Sequence, residues 1–216
     1  IESTELGTSL PDSFYENKFG LKFDAKTPFF THNLNKKQTL GAYLSNVGMV
    51  YYKNSRPQKA IFYLQPATKI NPLSIEAHNN LANIYAETGQ KELAIDQYQK
   101  ALVADPNSLP TLFNLGLTYV DLGNRDKAIE AFLQVTQIEP SFAQAHRQLI
   151  ELYLTNKKFI GALLHLKQMI KINPDDTGTL TAMGKVYTKL KNFKQAVEIL
   201  RRIKSRQPDN IEALEA

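Results

Sequence analysis

Cysteine is absent from the 216 residues of this chain. That excludes a disulfide framework, a thiol nucleophile and a thiolate metal site, and leaves the redox character of the compartment unmarked. No apolar run approaches the roughly 20 residues that a membrane-spanning helix requires, so no span is expected. Catalytic signatures are missing as well: there is no His-Glu-x-x-His, no Gly-x-Ser-x-Gly, no phosphate-cradling glycine loop and no aspartate-rich calcium loop. Neither enzymatic activity nor a cofactor is therefore expected. The first residue is Ile1, with no initiator methionine and no charged-then-apolar leader, as for a processed or truncated product. A hydrophobic fraction of 43% with 22% charged residues suits one large folded domain or two small ones and does not suit a chain disordered throughout.

What the chain does have is a period. Pro72, Pro106, Pro140, Pro174 and Pro208 are spaced by 34 residues, and the same register aligns Tyr51, Tyr85, Tyr119, Tyr153 and Tyr187, then Ala60, Ala94, Ala128, Ala162 and Ala196. A strict period of this size marks a repeat protein. Within each unit apolar residues recur at helical spacing twice, as in Leu81, Ala82, Ile84 and Tyr85 followed by Leu93, Ala94, Tyr98, Ala101 and Leu102. Each unit is thus a helical hairpin. Gly89 and Gly123 supply the left-handed backbone that ends a first helix. The proline that follows each second helix cannot continue its hydrogen bonding.

Further columns carry a resemblance. A large residue (Leu44, His78, Leu112, His146, Leu180), a small one (Gly48, Ala82, Gly116, Gly184), the tyrosine, the alanine, a second large residue (Leu64, Tyr98, Phe132, Leu166, Leu200) and the proline together resemble the tetratricopeptide repeat. The likeness spans residues 41–210 in five copies: 41–74, 75–108, 109–142, 143–176 and 177–210. It implies an all-α fold, an α-solenoid of stacked hairpins wound as a right-handed superhelix. First helices would line the concave surface, where function usually resides in this architecture. Two departures have local consequences. Ile150 replaces the small residue and is expected to splay the fourth hairpin. Pro66 lies inside a second helix, where a lost N–H and a steric clash cost about 3 kcal/mol and a kink is expected.

The ends obey no repeat. Residues 1–40 form an arm with Phe14, Tyr15, Phe19, Phe23, Phe29 and Phe30, which caps the first hairpin, lies in a groove, the protein's own or a partner's, or is a tag-like or disordered stretch. Residues 211–216 begin a truncated sixth unit or capping helix. Val197, Leu200 and Ile203 are accordingly expected to lack cover, leaving a C-terminal end open to homo-oligomerisation.

Candidate binding residues fall on the first helices. Asn46, Asn80, Asn114 and then Gln148 occupy one column, where a groove-facing amide donates to and accepts from a bound backbone. A similar asparagine ladder occurs in tetratricopeptide proteins that bind extended polypeptide. Asn79 and Asn83 make the second repeat polar, Phe113 and Leu117 with Val120 make the third apolar, and Arg147 with Gln144 returns to polar. The carboxylate-clamp pattern of chaperone-binding members is missing. His78 and His146 sit in the large-residue column and read as packing residues.

Charge is uneven along the repeats. The first has four bases and no acids, the second two bases against five acids, the third two against four, the fourth five against three and the fifth eight against two. The last patch includes Lys185, Lys189, Lys191, Lys194, Arg201 and Arg202. Without interleaved aromatics a nucleic-acid surface is disfavoured, and the patch reads first as a solvated face, with a polyanion site or an acidic protein partner as the alternatives. The reading favoured is a non-catalytic scaffold that binds an extended segment of a partner protein in the concave groove. The alternative is an assembly module that uses its ends or its basic fifth repeat on an acidic partner or anionic surface, with the groove filled by its own arm.

Overall fold

The computed structural model describes residues 36–206. The aromatic arm ahead of Lys36 and the opening of the sixth unit lie outside the described residues. Ten α-helices and no strand occur among the described residues, paired as five antiparallel hairpins: α1 Lys36–Lys53 with α2 Pro57–Ile70, α3 Ile75–Glu87 with α4 Lys91–Ala104, α5 Leu109–Asp121 with α6 Arg125–Ile138, α7 Ala143–Thr155 with α8 Phe159–Ile172, and α9 Thr177–Lys189 with α10 Phe193–Arg206. Each hairpin packs only on its neighbours in sequence, through its first helix against the preceding second helix. First helices α1, α3 and α5 also touch one another, which puts them on the inner side of the curve. The fold is an all-α solenoid.

One turn geometry is used five times. Ser55, Gly89, Gly123, Lys157 and Lys191, spaced by the repeat, all adopt φ between 55° and 80°. The residue after each returns its N–H to the carbonyl of the column tyrosine, as in Arg56 to Tyr51 at 3.0 Å, Gln90 to Tyr85 at 2.8 Å and Lys158 to Tyr153 at 2.8 Å. This is the helix-ending pattern in which a left-handed residue lets the chain satisfy carbonyls left over at a helix C-terminus. The tyrosine ring then covers the start of the second helix. Lys59 lies over Tyr51 and Lys127 over Tyr119, each 5.5 Å from the ring centroid.

The small-residue column is where paired helices approach closest. A Cβ at Gly116 would lie 2.6 Å from Phe132 Cε1, and one at Gly48 would lie 2.8 Å from Leu64 Cγ. In the fourth hairpin Ile150 occupies that column, and the close approach moves elsewhere: a Cβ at Gly161 would meet the Tyr153 ring at 3.0 Å. The apolar core divides at this hairpin. One cluster runs from Ala60 to Leu152, and a second runs from Leu166 to Ile203 with Ile150 and Leu154 against it.

Two expectations need adjusting. The first hairpin begins at Lys36 rather than 41, because Leu40 is buried with Leu44, Ala67 and Ala77 and holds an extra turn in place. Pro66 lies inside α2, as expected, and that helix runs the same 14 residues as α4. Ile203 is 1% exposed and belongs to the core, so the apolar end surface reduces to Val197, at 45% exposure, beside the half-buried Leu200.

Left-handed backbone costs a residue with a Cβ about 1–2 kcal/mol, which glycine avoids at some cost in unfolded-state entropy. Replacing Lys157→Gly should therefore raise the melting temperature, with a net gain of about 0.5–1 kcal/mol in denaturant titration. Gly116→Ala should destabilise by about 1–3 kcal/mol through overpacking against Phe132. A neutral Gly116→Ala would show that the helices can separate freely there.

Candidate functional site

The concave face is built from seams between consecutive first helices, and each seam is filled by different chemistry. Between the first two hairpins, Tyr52 hydrogen-bonds through its hydroxyl to Glu87, and Gln65 Nε2 donates to the Tyr85 hydroxyl at 2.7 Å. Between the second and third lies a polar lattice. Asn79 Nδ2 donates to Thr111 Oγ1 at 2.8 Å, and Thr111 Oγ1 reaches Ser108 Oγ at 2.7 Å. Asn83 Oδ1 accepts from the Tyr98 hydroxyl at 2.6 Å and from Asn114 Nδ2 at 3.1 Å. Burial pushes the Tyr98 hydroxyl up to about 12, which keeps it protonated as the donor of that pair. Between the third and fourth hairpins the filling is aromatic: the Phe113 ring lies 5.5 Å from Phe132 and 5.3 Å from Phe142.

These contacts redistribute the residues that the sequence assigns to the groove. Asn79, Asn83 and Asn114 hold neighbouring hairpins together, and Phe113 and Leu117 are half-buried against the core. Asn114 is thus a structural residue, contrary to the expectation of a freely presented amide. The reason is steric. The column one residue ahead, Asn79, and the one three residues on, Asn83, bracket the next first helix, and their amides meet whatever polar group it offers. Asn46 and Arg147 are exposed and Asn80 and Gln148 half-exposed, and none of the four has a hydrogen-bond partner among the described residues. Sequence reasoning had no signal for this division, since it turns on which polar side chains face each other across a seam.

The histidines build structure. His146 Nε2 lies 3.0 Å from the Pro140 carbonyl, and His146 Nδ1 lies 3.0 Å from His165 Nδ1. A carbonyl only accepts, so Nε2 of His146 carries its proton and Nδ1 accepts from His165 Nδ1–H. His165 Nε2 is left buried without a partner, under the Tyr153 ring stacked 5.6 Å away. Burial, and secondarily the neighbouring His146, holds His165 down at about 4. The second hairpin uses the same positions differently, with His78 bonded to the Pro72 carbonyl at 3.0 Å and to Gln97 at 2.8 Å. The His146–His165 contact is the pairing that sequence spacing missed.

In the basic fifth hairpin Lys185, Lys189, Lys191, Lys194 and Arg201 are exposed. Arg202 is partly engaged, donating from Nη2 to the Pro174 carbonyl at 2.7 Å. No cluster of three or more histidine, aspartate or glutamate side chains with metal-binding geometry occurs among the described residues. No described helix is long and apolar enough to cross a membrane.

Family models described as tetratricopeptide repeat match residues 75–108, 109–142 and 153–216. The chain is a tetratricopeptide repeat protein. A curated relative, tetratricopeptide repeat-containing protein trd-1 of Caenorhabditis elegans, is 41% identical over 71 residues, which is 33% of this chain and 9% of the relative. Among solved structures, MamA aligns with a TM-score of 0.67 at 18% identity over 80% of this chain and 94% of its own. YrrB, described as a tetratricopeptide protein with an unusual peptide-binding site, aligns at 0.63 with 19% identity over 80% and 89%. PilF of Pseudomonas aeruginosa aligns at 0.60 with 19% identity over 84% and 90%. At these identities the likeness establishes the shared tetratricopeptide fold.

The depressed His165 makes the fold acid-sensitive. Its folded form prefers the neutral ring, so the unfolded chain takes up the proton first, near the ordinary histidine value of about 6.5. Stability is fully present above that pH and is lost as pH falls toward about 4. The slope is at most about 1.4 kcal/mol per pH unit. His165→Gln, which copies the His78–Gln97 pair, should flatten this limb of a denaturation-against-pH series. An unchanged slope would place the acid sensitivity in other groups.

Proposed function

We propose that this tetratricopeptide protein is a non-catalytic interaction scaffold that binds an extended segment of a partner protein along its concave face. The observation that carries the reading is the unequal use of polar side chains on the first helices. Asn79, Asn83 and Asn114 are committed to seams, while Asn46, Asn80, Arg147 and Gln148 present unengaged polar groups on the same inner face. An amide that is both donor and acceptor reads a peptide backbone without regard to its side chains. Affinity then accumulates from many modest contacts. The description of YrrB as peptide-binding, and the general use of concave solenoid surfaces for binding, support the same reading.

The assembly alternative draws on the charge of the fifth hairpin. Its exposed lysines remain the natural control, because an electrostatic surface loses affinity steeply with salt whereas backbone-reading amides do not.

The test begins with a crosslinking pull-down to supply a partner segment, followed by calorimetric titration at two salt concentrations. Asn80→Ala and Gln148→Ala should each weaken binding by about 1 kcal/mol with unchanged melting curves. Asn114→Ala should weaken binding and also lower the melting temperature, since its amide holds Asn83. Lys191→Ala with Lys194→Ala should leave affinity nearly untouched at either salt concentration. Dominance of the lysine changes would move the site to the basic end.

A further inference from the structure

The apolar stripe that seats each first helix on the preceding hairpin is also present on α1, the first helix of the stack. In the four later hairpins three columns of the first helix pack toward the second helix before it, as Ala77 does with Ala67, and Leu81 and Ile84 with Ile61 and Leu64. The third position of the repeat holds Ala77, Thr111, Ala145 and Thr179, and the tenth holds Ile84, Thr118, Leu152 and Val186, none of them more than 8% exposed. The seventh holds Leu81, Leu115, Leu149 and Met183, all buried. On α1 these columns are Tyr43, Val47 and Val50. Tyr43 is 42% and Val50 59% exposed, with Val47 half-buried between them. Spacings of four and three residues put all three on one helix face, in a stripe about 10 Å long. Exposed apolar residues in seam columns make a docking surface for one further apolar segment.

Connection, composition and charge assign that surface to the arm of the same chain. The arm runs directly into α1, as a preceding second helix runs into each later first helix. Residues 31–35 separate Phe30 from α1, a connection of the length that joins antiparallel helices. Phe29 and Phe30 stand 34 residues ahead of Tyr63 and Leu64, so the repeat period puts a bulky apolar pair where α2 has one. A tethered segment is also spared most of the association cost that a separate chain meets. Residues 36–74 hold six bases and no acid, whereas residues 1–35 hold five acids against three bases. Lys37 and Lys53 are exposed near the two ends of α1. A second copy docked through the same stripe would set this basic face against itself.

We propose that the arm folds back along α1 and closes the first hairpin, with Phe29 and Phe30 against Tyr43, Val47 and Val50, in the place that a preceding second helix takes at every later seam. The N-terminal end of the stack is then completed by the chain itself, and the concave face from Asn80 onward is left to a partner.

Cysteine trapping in the 216-residue chain tests this, because the chain has no cysteine of its own. Phe30→Cys is combined in turn with Val47→Cys, Val50→Cys and Gln65→Cys. Gln65 is the control for reach: it lies on the side of the first hairpin that faces the second, bonded to Tyr85, and close to the level of Val47, since Leu64 meets Gly48. A disulfide forms only between Cα atoms about 4.4–6.8 Å apart. Under mild oxidation one of the first two pairs should close within a monomer about tenfold faster than the third, or more. Equal rates would overturn the arm as occupant and leave the stripe to a partner chain, and covalent dimers from Val50→Cys alone would overturn it in favour of a second copy. A second readout needs no cysteine: Phe29→Ser with Phe30→Ser should speed amide exchange in α1 about fivefold or more and leave α9 unchanged. Unchanged exchange in α1 would equally overturn the proposal.

Discussion

Everything in this molecule depends on a hairpin being unable to bury its apolar face alone. A pair of 13- and 14-residue helices encloses too little surface, so the fold exists only as a stack in which each unit is completed by the next. The left-handed turn after each column tyrosine is what makes the stack regular. It closes every hairpin with the same carbonyl, on Tyr51, Tyr85, Tyr119, Tyr153 and Tyr187, whatever residue occupies the turn. Where glycine is absent, Ser55, Lys157 and Lys191 take up the strain, which shows how strongly the stacking determines the local backbone.

That dependence explains what could be read in the sequence. Columns that serve the hairpin itself repeat every 34 residues and are visible as ladders: proline, tyrosine, alanine and the small residue opposite a large one. The register of ten helices follows from them. Columns that serve the seam do not repeat, because each seam needs only mutual fit between two particular helices. Asn79 with Thr111, Asn83 with Asn114, and Phe113 with Phe142 are solutions found once each. A ladder such as Asn46, Asn80, Asn114 and Gln148 therefore looks uniform in sequence yet divides in space, one member serving the seam and the others without a hydrogen-bond partner among the described residues.

The fourth hairpin shows the same principle where fit gives way. Ile150 was legible as a departure, and splaying was a reasonable expectation from its size. Its structural result is more specific, because Gly161 accepts the Tyr153 ring and so transfers the tight contact from one side of the hairpin to the other. The core is interrupted there, and the buried His146–His165 pair lies in the same hairpin, with one ring nitrogen unsatisfied. An unpartnered buried polar atom costs stability of the order of 1–3 kcal/mol. The fourth hairpin thus combines interrupted packing, an orphaned nitrogen and an open cavity in one place.

Such a place has functional value in a solenoid. Filled seams present a surface whose only readable groups are side chains left over from packing, and those are well suited to holding a backbone. Side-chain selectivity needs a concavity with a largely apolar lining. The second seam closes with hydrogen bonds and the third with aromatic rings. Along the inner face the seams therefore differ in what they leave exposed: Asn79, Asn83 and Asn114 are taken up in packing, whereas Asn46, Asn80, Arg147 and Gln148 have no hydrogen-bond partner among the described residues.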